Sequence, residues 1–176
     1  SLTELASGIA RAIEKTVREN KISNDFGDML SKAAISSFTS MVQASSPGLW
    51  NPTPEDVRHA VSHFASPQHF SSLAQEFYAS FTHRNLRYYL DREMPKHIGP
   101  GQYLPSMGSW QGFNKALEAH CQEASIIMRV FAREWYGKKY LKKEEITRES
   151  VKGFSFMTSK KIRNELRIRR DSDVAA

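Results

Sequence analysis

Apolar residues recur at helical spacing along most of the chain. Leu5, Ile9, Ile13 and Val17 repeat every four residues, and with Thr3 as N-cap they predict a first helix. A break over residues 20–24 precedes a second stripe of Phe26, Leu30, Ala34, Phe38, Met41 and Val42. The stretch 45–54, with three prolines and one glycine, stops that helix. Thr53, Pro54 and Asp56 then supply an N-cap, an N1 proline and an N3 acid. The same grammar at Ser66-Pro67 opens a fourth helix, so the third is short.

From Phe70 the stripe Phe70, Leu73, Ala74, Phe77 and Phe81 continues into "HRNLRYYLDREM" and stops at Pro95. The segment "PKHIGPGQYLPSMGS" (95–109) holds three prolines and three glycines. It predicts a long surface crossover anchored by Tyr103 and Leu104. Ser109 reads as the cap of a central core helix carrying Phe113, Leu117, Cys121, Ala124, Met128, Phe131 and Trp135, ended by Gly137. A lysine-rich turn follows. Thr147 and Ser150 open a last helix that turns Val151, Phe154, Ile162 and Leu166 inward. No period-two strand and no internal repeat is present. The expected fold is a single all-α domain over 1–176, a bundle of about six helices with a Pro/Gly-rich loop at 95–109.

Composition narrows the setting. The 176 residues suffice for one hydrophobic core, and 40% hydrophobic content is globular. A lone cysteine, Cys121, excludes an internal disulfide and fits a reducing, cytoplasmic setting. No apolar run approaches the length of a membrane span, so no membrane partner is expected.

Charge is unevenly placed. Residues 1–137 hold 13 Lys+Arg and 13 Asp+Glu, whereas 138–170 hold 12 Lys+Arg against four Glu. The last six residues carry two aspartates, and the whole chain is +6. All the excess positive charge therefore lies in the segment 138–170. Within it, Lys160, Lys161, Arg163, Arg167, Arg169 and Arg170 fall on the last predicted helix. Lys160, Arg163, Arg167 and Arg170 follow i, i+3, i+7, i+10 along one side. With Lys138, Lys139, Lys142 and Lys143 nearby in sequence, this face suits a nucleic-acid phosphate backbone or an acidic protein. A solvated helix face fits the same pattern.

Three other features carry chemistry. In "DVRHAVSHF" (56–64), Asp56, His59 and His63 share one face of a helix, opposite Val57, Ala60, Val61 and Phe64. That face reads as a solvated contact surface, or as three metal ligands with His69 as a fourth. The hexapeptide from Arg58 to His63, R-H-x-x-x-H, also resembles the R-[N/D/H]-x-x-x-H signature of HEPN-domain ribonucleases, an all-α family. The resemblance covers six residues. It implies RNA cleavage without metal across a homodimer cleft, with Arg58 on the scissile phosphate, His63 as acid or base, and His59 as the polar orienting residue. The segment "HRNLRYYLDREMPKH" interleaves Arg84, Arg87 and Arg92 with Tyr88 and Tyr89. It reads as a base-stacking patch, or as a helix whose arginines pair with Asp91 and Glu93. Cys121 lies beside His120, but neighbours on a helix point about 100° apart, so the pair makes no nucleophile and base.

The sequence contains no phosphate loop, dinucleotide fingerprint, zinc-finger spacing or nucleophile elbow. No cofactor and no resident metal are expected. The leading reading is a non-enzymatic helical binding module that uses its basic C-terminal face. The alternative is the dimeric HEPN-like ribonuclease built on Arg58, His59 and His63.

Overall fold

Local capping chemistry sets most helix starts. The computed structural model describes residues 1–45 and 53–174. Among them are seven α-helices: α1 Leu2–Glu19, α2 Asn24–Ser45, α3 Pro54–His63, α4 Pro67–Glu93, α5 Met107–Ala124, α6 Ile127–Lys142 and α7 Arg148–Val174. No named strand is present among these residues, and the only β-type pairing is an isolated bridge between Ile98 and Leu104. The all-α reading holds. No helix among the described residues is long and apolar enough to cross a membrane.

The caps at Thr53 and Ser66 are those the sequence predicts. Thr53 accepts from the Asp56 backbone N–H at 3.2 Å, while Asp56 accepts from the Thr53 backbone N–H at 2.9 Å. The Ser66 hydroxyl accepts from the His69 N–H at 3.3 Å. Three expected termini move. The N-cap of α1 is Ser1, in a capping box with Glu4, rather than Thr3. The cap of α5 is Ser106, whose hydroxyl accepts from the Ser109 N–H at 3.2 Å, so Ser109 is an N3 residue. The helix expected to stop at Gly137 runs on to Lys142, where left-handed Lys143 (φ 51°) ends it. A single glycine costs a helix only about 1 kcal/mol, and Gly137 lies beside Pro67, where an added Cβ would make an ordinary contact at 3.9 Å. The proposed stop over 45–54 falls largely on residues outside the described ones.

The predicted central helix is two helices. Residues 125–126 form a tight turn between α5 and α6, with i→i+3 bonds from Ile126 N–H to Glu123, Met128 N–H to Ser125 and Arg129 N–H to Ile126. This break, made by a fully buried Ser125 rather than by Pro or Gly, raises the helix number from six to seven. Its consequence for packing is direct. Met128 and Ala132 of α6 are fully buried, but Phe113 of α5 is 40% exposed and stacks on buried Trp110 instead.

The true centre is α4, which packs against α2, α5 and α6. Its buried positions are small or polar, Ser71, Ala74, Gln75 and Ala79, and this lets neighbouring helices approach closely. Met128, Ala132, Phe154 and Ile162 gather on Ala74 with the half-buried Phe70, Phe131 and Trp135. A second cluster, Val42, Val57, Ala60 and Phe64, holds α3 to α2. The α1–α2 approach requires a glycine: a Cβ on Gly27 would lie 2.7 Å from Val17 Cγ2.

The 95–109 crossover is shorter than its sequence suggests. A 3₁₀ turn, Met94–Lys96, begins it, and α5 already starts at residue 107. Gly99 (φ 145°) and Gly101 (φ 80°) take backbone conformations that L side chains rarely adopt. Leu104 is partly covered, but Tyr103 is 90% exposed and meets only the His97 ring edge-on at 6.2 Å, so it is no core anchor. Val151, expected in the core, is 42% exposed.

Cys121 is wholly buried, and burial, with the nearby Glu118 carboxylate adding to it, pushes its thiol up to about 11. Reactivity follows the thiolate. The native protein should therefore resist a disulfide-exchange reagent at mildly alkaline pH and react fully once denaturant is added. Rapid labelling of the native chain would contradict this placement.

Candidate functional site

Helix α7 begins where the Thr147 hydroxyl accepts from the Ser150 N–H at 3.2 Å. It then runs without proline to Val174. Phe154, Thr158 and Ile162, spaced at i, i+4 and i+8, are buried. The Phe154 ring lies 5.3 Å from that of Phe131 and 4.5 Å from that of Trp135, which fastens α7 to α6. With this stripe inward, the opposite side of the helix must face solvent.

The six basic residues expected to form the binding face divide by their neighbours. Arg169 turns toward α5 and pairs with Glu123 at 2.6 Å. Lys161 is half-buried with its ammonium 5.2 Å from the Phe131 ring centroid, a cation–π contact with α6. Arg170 is bound by its neighbour Asp171 at 2.7 Å. Lys160, Arg163 and Arg167 are exposed, and no ion pair or hydrogen bond engages their side chains among the described residues. Lys152 joins them in the same condition.

Between these cations lies Phe156, which is 70% exposed. On a helix of 3.6 residues per turn, Lys152, Phe156, Lys160, Arg163 and Arg167 fall within about 80° of arc, opposite the buried stripe. The sequence pattern alone assigns Phe156 no role, since one aromatic amid polar residues breaks no periodicity. Its i−4 spacing from Lys160 was the available signal. A large apolar ring left in water between uncommitted cations is the informative feature of this face.

Two of the four lysines in the second group are spent, while Lys138 and Lys143 are exposed without an ion pair among the described residues. Lys139 and Lys142 share Glu144 at 2.8 and 3.8 Å, and Lys139 holds that carboxyl below its ordinary range. Arg87, Arg92 and Tyr88 of the "HRNLRYYLDREMPKH" segment are committed to structure as well. Arg87 pairs with Asp91 at 3.3 Å, and the Arg92 guanidinium lies 4.2 Å from the Tyr88 ring centroid. Tyr88 in turn donates to Asp25 of α2. Glu93 pairs with Lys96 rather than with an arginine.

On α3, Arg58 and His63 stand about 140° apart around the helix, so one chain does not converge them. Arg58 is exposed and lies 3.5 Å from Glu55. The His59 and His63 rings are 4.2 Å apart by centroid, and His63 and His69 are 5.3 Å apart. Asp56 is occupied by its cap: hydrogen bonds from the Thr53 hydroxyl and N–H hold its carboxyl below the usual range. Among the described residues, no group of three or more His, Cys, Asp or Glu is placed to hold a metal.

No protein-family model, curated protein or solved structure matches this chain. The functional reading therefore rests on the side chains themselves.

Proposed function

We propose that this protein is a helical binding module that holds a strand of nucleic acid along the exposed face of α7. Lys152, Lys160, Arg163 and Arg167 take the phosphates, and Phe156 offers a stacking platform for a base. The observation that carries this reading is the 70%-exposed Phe156 set among cations that no other described side chain engages. Such cations cost little to bring to a phosphate, because no native ion pair must be broken first. Base–aromatic stacking contributes about 1–3 kcal/mol per base and tolerates any sequence. A single ring in a basic stripe fits a single strand better than a duplex, whose bases present no free face.

Fluorescence anisotropy with unrelated labelled oligonucleotides tests the proposal. Four phosphate contacts on a single strand predict an affinity loss of about 50-fold between about 50 and 200 mM salt. Phe156→Ala should weaken single-strand binding by about tenfold and leave the salt slope unchanged, since stacking releases no counterion. Absence of binding at low salt would overturn the nucleic-acid reading. An acidic protein would then be the better occupant of the same face, with salt acting only through screening.

A further inference from the structure

A second site lies away from α7, where α2, α4 and α5 meet. Glu76, Ser80 and Arg84 follow i, i+4, i+8 along α4, and His83 and Arg87 run beside them. This polar stripe is half-buried, with Arg87 exposed at its end. With Ser36 and Ser40 of α2 and Glu118 of α5 it lines a pocket of about 430 Å³, within the range of about 300–1,000 Å³ usual for small-molecule sites.

The pocket holds charges of both signs that do not neutralise one another. The Arg84 Nε donates to the Ser80 hydroxyl at 3.2 Å, and no carboxylate pairs with its guanidinium among the described residues. Arg87, by contrast, is committed to Asp91. Neither Glu76 nor Glu118 is ion-paired among the described residues. The Ser36 and Ser80 hydroxyls meet at 3.2 Å, and the shielded Nε2 of His83 has no hydrogen-bond partner. A buried ring nitrogen without a partner is rare enough to require a reason. Burial also lowers the pKa of His83 below its ordinary 6.5, although Glu118 acts against this.

These groups select against a ligand of single charge. An inorganic anion would meet Arg84 but also two uncompensated carboxylates. A simple amine would meet the carboxylates but also Arg84. We infer that this pocket binds a small zwitterion of the α-amino-acid class, with its carboxylate on Arg84 and its ammonium on Glu118, both of which neighbour His83. The serine hydroxyls and the His83 nitrogen supply the remaining hydrogen bonds. The site is independent of α7, so either reading can fail without the other.

Thermal-shift and calorimetric titration with the standard free L-α-amino acids at millimolar concentration tests the inference. At least one should raise the midpoint, because a ligand that binds only the folded state stabilises it. Its N-acetyl derivative and its decarboxylated amine should not. Arg84→Gln and Glu118→Gln should each weaken binding by about tenfold or more, the loss of one charge-assisted hydrogen bond. Glu118 is exposed, so its variant tests the site even if Arg84→Gln proves unstable. No shift with any amino acid would overturn the inference. Equal binding of the N-acetyl form, or of inorganic phosphate, would also overturn it and leave an anion site. Wild-type affinity in Glu118→Gln would do the same.

Discussion

Met128→Asp is expected to abolish cooperative unfolding and leave a chain with much reduced far-UV helix signal. Met128 is 0% exposed and sits where α4, α6 and α7 converge, among Ala74, Ala132, Phe154 and Ile162. Every residue of this buried cluster is apolar, so an introduced carboxylate finds no partner within it. An unpaired buried charge costs several kcal/mol, and the lost side chain adds a packing deficit of about 2–5 kcal/mol. Against a typical stability of about 5–15 kcal/mol, the sum removes most or all of it. A wild-type melting profile in this variant would mean that α7 does not close over α6 as described. Met128→Leu, which conserves volume, should cost less than about 1.5 kcal/mol.

Reversing Arg163 and Arg167 to Glu together is expected to reduce nucleic-acid affinity more than 100-fold at low salt. Each charge-assisted contact contributes about 1.5–3 kcal/mol, so losing two amounts to about 3–6 kcal/mol before any repulsion is counted. Oligonucleotides of unrelated sequence should be affected alike, because phosphate contacts carry no sequence information. Both residues are exposed and uncommitted, so the melting temperature should barely change. Reversing Arg169 and Arg170 instead should separate the two roles. Arg169 is held by Glu123, 46 residues away, and Arg170 by Asp171, so that pair should cost stability more than binding.

The contrast between these pairs shows where sequence reasoning reaches its limit. The charge of α7 and its spacing are legible in the sequence, because both are local. Which cations remain available is not, because the partners of Lys161 and Arg169 lie on α6 and α5. The same boundary runs through the fold. The starts of α3 and α4 are written in Thr53-Pro54 and Ser66-Pro67, whose side chains cap their own helices. The break between α5 and α6 leaves no such mark: Ser125 turns the chain inside the core while the apolar spacing continues across it. Gly137 reads as a stop and is helical, because packing against α4 outweighs its weak propensity. The α4 pocket was hidden for a related reason. Glu76, Ser80 and Arg84 look like a solvated face until α2 and α5 are brought against them.

The most direct test of α7 as a nucleic-acid face is to map where binding occurs. Backbone amide chemical shifts of the protein should be followed while a short single-stranded oligonucleotide is added at low salt. The account predicts perturbations concentrated along α7 at Lys152, Phe156, Lys160, Arg163 and Arg167, reversed by raising the salt. Perturbations centred on Arg58, His59 and His63 of α3, or none anywhere on α7, would contradict it.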